Sequence, residues 1–83
     1  MQKVNMEEVR NNYRTKDLAE ASFLLVKNRP LISIEREGRT CWFIFENKTL
    51  CSNLSSEFWF GNAEIRAKSF YDAIQTLKNR IFA

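Results

Sequence analysis

The sequence predicts an α+β domain, a β-hairpin packed on one face by three helices, in the order α-β-β-α-α. Three observations predict it. Apolar residues recur at helical spacing in three segments, near 16–27, 47–60 and 67–81. Two β-rich runs meet at Glu37-Gly38. Eighty-three residues allow one domain, and 45% hydrophobic with 28% charged side chains is too apolar for a disordered chain.

Residues 1–12 have weak periodicity and close on Asn11-Asn12, so a loose leader is expected there, with the domain proper over 13–83. Thr15 is placed to cap the first helix, and Asp17 falls in its first turn, where the helix dipole favours a carboxylate. Lys16 to Lys27 are strong helix formers, and Asn28-Arg29-Pro30 stops them. Leu18, Ala19, Ala21, Ser22, Leu25 and Val26 make an apolar face opposite Lys16, Glu20 and Lys27. Leu24 falls between Glu20 and Asp17, outside that face, and is a contact candidate.

Leu31–Glu35 and Thr40–Glu46 read as the hairpin. With a loop centred on Glu37-Gly38, Ile34 faces Cys41 and Ile32 faces Phe43. One face then carries Ile32, Ile34, Cys41, Phe43 and Phe45, and the other Leu31, Ser33, Glu35, Thr40, Trp42 and Ile44. A single helical layer covers one side of a two-stranded ribbon, so something else must cover Trp42 and Ile44.

Asn47 or Thr49 caps a middle helix through Phe60, ended by Gly61-Asn62. Its stripe is Leu50, Cys51, Leu54 and Phe58, opposite Ser52, Ser55 and Ser56, with Trp59 on the serine side. The last helix runs from Ala67 to Ile81, with Phe70, Ala73, Ile74, Leu77 and Ile81 inward. Lys68, Asp72, Thr76 and Asn79 face outward.

Little here supports chemistry. The chain has no His, which removes imidazole bases and imidazole metal ligands. Two glycines build neither a P-loop nor a dinucleotide fingerprint, and no nucleophile elbow is present. The domain is therefore read as non-enzymatic, with no catalytic, cofactor-binding or metal-binding residue assigned. Cys41 and Cys51 read as reduced thiols packed as small hydrophobes, a disulfide being the alternative. No apolar stretch approaches the ~20 residues of a membrane span, and no secretion signal opens the chain.

Thirteen basic against ten acidic residues give a net charge of +3, a mild bias concentrated towards the two ends of the chain. Arg29, Arg39, Arg66, Lys68, Lys78 and Arg80 are the side chains that would contact nucleic acid. The rings of Trp42, Phe43 and Phe45 beside Arg39 could stack on bases, although the RNA-recognition-motif signature is absent.

Tyr13-Arg14-Thr15-Lys16-Asp17-Leu18 with Ala21 and Leu24-Leu25, then Glu35-Arg36-Glu37-Gly38, Phe43-Ile44-Phe45, Phe60-Gly61-Asn62-Ala63 and Phe70…Ala73-Ile74…Leu77-Lys78 carry a resemblance. Over about Tyr13 to Phe82 the chain resembles a family of small domains of unknown function encoded in bacterial genomes, often beside phage or other mobile-element genes. Its motifs are packing and capping residues, so no catalytic residues carry over. The resemblance implies a cytoplasmic accessory protein with a protein or nucleic-acid partner. The serines from Ser52 to Ser56 depart from the more charged helix the family would have there.

Two functions follow as expectations. The first is an interaction module that self-associates as a homodimer through Leu24, Leu31, Trp42, Ile44 and Trp59, because apolar surplus outside the core marks interfaces. The second is a weak nucleic-acid-binding accessory.

Overall fold

The computed structural model describes residues 11–82, so the expected leader lies outside it apart from Asn11 and Asn12. The elements are β1 (Tyr13–Thr15), α1 (Leu18–Val26), β2 (Leu31–Glu37), β3 (Thr40–Phe45), α2 (Lys48–Trp59) and α3 (Ala67–Ile81). The α-β-β-α-α order is present, preceded by a short strand. β1 joins the hairpin to make a three-stranded antiparallel sheet in the order β1-β3-β2. Three residues are too few to display the alternation that marks a strand in sequence.

A polar corner turns β1 into α1. The cap is Asp17 rather than the expected Thr15: the Asp17 side chain accepts from the Glu20 amide at 2.8 Å. Thr15 ends β1, and its hydroxyl accepts from the Asp17 amide at 3.1 Å. The helix stops in a Schellman motif, with Asn28 at φ +62° and the Arg29 and Asn28 amides returning to Leu24 and Leu25 carbonyls. Pro30 follows, unable to continue a helix.

The hairpin pairs Glu37 with Thr40, Arg36 with Cys41, Glu35 with Trp42 and Ile34 with Phe43. Its loop is Gly38-Arg39, one residue later than expected, because Gly38 takes the positive φ (+59°) that a tight hairpin turn needs at its first position. Pairing thus shifts by two residues, and a two-residue shift leaves every side chain on its expected face. The exception lies at the far end. A β-bulge between Leu31 and Ser33 pairs Leu31 with Phe45 and turns Ile32 outward, exchanging the faces assigned to those two residues.

Asn47, at φ +71°, caps α2 by accepting from the Leu50 amide at 3.1 Å. At the other end Gly61 (φ +79°) lets the Asn62 amide return to the Glu57 carbonyl, a second Schellman closure. α3 has the predicted bounds, with Ala73 and Leu77 buried and Lys68 joined to Asp72 at 2.5 Å on its outer side.

The core joins Ala21 and Leu24 of α1, Phe43 and Phe45 of β3, Cys51 of α2 and Leu77 of α3. Tyr13, Leu31 and Ile34 extend it across the sheet, so the helices lie on this one face. Both α2 and α3 pack against α1. This arrangement corrects the expectation for Leu24, which is fully buried. A helix enclosed by a sheet and two other helices has no solvent side there, and Glu20 and Ser22 are buried with it. Leu31 likewise packs on the core, and Ser55, expected to face water, is buried.

Candidate functional site

The face of the sheet opposite the helices carries Arg14 of β1, Trp42 and Ile44 of β3, and Ser33, Glu35 and Glu37 of β2. Ile44 is only 5% exposed, flanked by its pairing partners Arg14 and Ser33. Trp42 is half-buried, and its cover is cationic: the Arg14 guanidinium lies 4.6 Å from the ring centroid and the Lys16 ammonium 6.0 Å. Arg14 then reaches Glu37 at 3.3 Å across β3. Both partners are largely exposed, so the pair contributes at most about 1 kcal/mol. Asn12, Arg14, Glu35, Glu37 and Ile44 line a shallow cleft of about 330 Å³ on this face. The Trp42 indole N–H is enclosed and has no acceptor among the described residues.

A second surface forms where α2 ends. Phe58 lies 5.1 Å from Phe23, 6.4 Å from Phe70 and edge-on to Trp59 at 5.1 Å. At the outer edge of this partly buried stack Trp59 is 56% exposed, and Phe60 beside it is 80% exposed. Of the five residues expected at an interface, Trp59 is thus well exposed and Trp42 partly so. Ile44 shares Trp42's face beneath polar neighbours, and Leu24 and Leu31 are spent on the core.

The basic side chains do not converge. Arg66 and Lys68 stand about 18 Å along α3 from Lys78 and Arg80. Arg39 is at the hairpin loop, and Arg29 is half-buried just past the C-terminus of α1. The Lys78 and Arg80 pair sits in the last turn, where cations offset the helix dipole. The sequence reading missed Arg14, Lys16 and Glu37 as neighbours of Trp42. For Arg14 the local signal is the three-residue alternation Tyr13-Arg14-Thr15, inward-outward-inward, and Glu37 continues the alternation of Ser33 and Glu35 onto Trp42's face.

A buried polar cluster lies on the helical side of β1. The Glu20 carboxyl accepts from the Tyr13 phenol at 2.6 Å and from the Thr15 hydroxyl. Cys51, a free thiol like Cys41, donates to the Glu46 carbonyl at 3.3 Å. Burial pushes the Cys51 thiol above its ordinary 9.0, with Arg29 opposing. Burial and then the bond to Glu20 raise the Tyr13 phenol above 10.0, with Ser55 opposing. Both groups are neutral when protonated and hold their protons more tightly folded than unfolded. The stability they confer is complete below about pH 9 and is lost as pH climbs through the raised folded values. Urea midpoints are expected to stay level from pH 7 to 9 and to fall beyond. Cys51→Ala is expected to soften the fall; an unaltered slope in that variant would exclude the thiol as a cause.

Among the described residues no His, Cys, Asp and Glu cluster of three or more could hold a metal ion, and no helix is long and apolar enough to cross a membrane. No curated protein and no solved structure matches the chain. A family model does match, over residues 10–83, which includes every strand and helix described above. The chain therefore belongs to the DUF5659 family, a domain of unknown function.

Proposed function

We propose that this domain is a non-enzymatic interaction module that self-associates through the face of its sheet opposite the described helices, centred on Trp42. The observation that carries the reading is the cover of Trp42. Two long cationic side chains lie over the indole, where a packed helix would have closed the face permanently. Trp and Arg are among the side chains that most often anchor interfaces: Trp buries a large area on two rotatable bonds, and Arg brings a planar guanidinium that both stacks and hydrogen-bonds. Trp59 and Phe60 make a separate apolar surface, more exposed than Trp42 and Ile44 but without the paired charges that flank Trp42. Nucleic acid is the weaker alternative: the six cations are spread along the molecule, and the face bearing Trp42 also bears Glu35 and Glu37. In this reading the module is a cytoplasmic accessory protein of bacterial or mobile-element origin, an expectation that rests on the family resemblance.

Sedimentation at tens of micromolar is expected to give a dimer, with Trp42→Ser weakening association about tenfold or more. A monomer across that range, or unchanged hydrodynamics in Trp42→Ser, would sink the proposal.

A further inference from the structure

We infer that the second copy sits face to face on this sheet across a two-fold axis running along β3, with Arg14 and Glu37 exchanging their partners between copies. The inference rests on the self-association proposed above and specifies its geometry. A two-fold interface brings one patch against itself, so the patch must be self-complementary.

The charges on this face are arranged for that. Arg14 is anchored on β1 and Lys16 directly after it, both reaching over Trp42, whereas Glu35 and Glu37 are anchored on β2. β3, carrying Trp42 and Ile44, runs between them. Rotation about an axis along β3 puts β1 of one copy over β2 of the other, so on both sides the strand that anchors the cations faces the strand that anchors the carboxylates. Rotation about an axis across the strands would put β1 over β1 and oppose like charges. The charge pattern therefore selects the first axis.

The pieces to be exchanged already exist. Arg14 and Glu37 bond within one chain at 3.3 Å, at positions 47% and 65% exposed, so a facing copy can take over each partner without unpacking the core. Arg14 already crosses β3 to reach Glu37 within its own chain. The same guanidinium meets Glu37 of the partner subunit when the two faces close.

The experiment uses charge reversal. Arg14→Glu and Glu37→Arg are each made in the full chain, and circular dichroism checks that both fold, as exposed positions allow. Each variant alone is expected to lose self-association about tenfold or more, because like charges then meet on both sides of the axis. An equimolar mixture is expected to regain a dimer, since each Arg14→Glu copy then finds opposite charges on a facing Glu37→Arg copy. Energy transfer between differently labelled variants, or native mass spectrometry, reads that heterodimer directly. A pair that acts only within one chain would instead be restored by the double variant alone and never by mixing. A wild-type dimer with no heterodimer on mixing, or with single variants still dimeric, overturns this geometry and leaves the self-association reading standing. A monomeric wild type overturns both.

Discussion

Phe45→Ala is expected to destabilise the domain by about 3–5 kcal/mol, as large-to-small changes of a buried phenylalanine do. Total stability of small domains is about 5–15 kcal/mol, so much of the margin disappears. The residue is fully buried on the central strand, pairing with Tyr13 on one side and Leu31 on the other. Its ring belongs to the cluster that holds Ala21, Leu24, Cys51 and Leu77 together, with every helix contributing. Removing it opens a cavity where the sheet meets the helices, and a rigid close-packed core relaxes only partly into such a space. Phe82→Ala is the control, since that ring is exposed and its loss is expected to change stability by no more than about 0.5 kcal/mol. Urea denaturation followed by circular dichroism measures both. A loss below about 1 kcal/mol in Phe45→Ala would contradict the packing described.

Glu20→Ala is expected to cost about 2–4 kcal/mol by a different route. The carboxyl is buried and accepts from two hydroxyls, Tyr13 and Thr15, that hold β1 against α1. Thr15 is itself buried, so its hydroxyl would lose its acceptor away from bulk water, while the half-buried Tyr13 phenol can turn towards solvent. Glu20→Gln keeps an acceptor oxygen at nearly the same place and is expected to cost clearly less. Equal losses in the two variants would mean that the shape of the side chain, and no hydrogen bond, carries the effect.

Glu20 also illustrates how far local patterning reaches. Its place opposite the apolar stripe of α1 assigned it to water, along with Lys16 and Lys27. It is instead buried, because β1 folds back beside α1 and supplies two hydroxyl donors. The C-terminal stops of the first two helices were far more legible, although the N-cap of α1 is Asp17 and not Thr15. Asn28-Arg29-Pro30 and Gly61-Asn62 mark stops whose physics is confined to a few consecutive peptide units, and both helices end there in Schellman closures. The hairpin faces were legible for a similar reason, since alternation survives a two-residue error in pairing; the bulge at Leu31 to Ser33 was not, because it depends on what Phe45 packs against.

The same division applies to the interaction surface. Local order along the chain settled that Trp42 and Ile44 share a face turned away from Phe43 and Phe45, and that α3 spans Ala67 to Ile81 with Leu77 inward. Those features follow from periods of two and 3.6 residues, which neighbouring residues encode without reference to the rest of the molecule. Three-dimensional packing decided that Leu24 is core, that a three-residue strand completes the sheet, and that Arg14 lies over Trp42. Each of these depends on segments distant in sequence arriving at one place, and no window of adjacent residues carries the energy of a contact it does not contain.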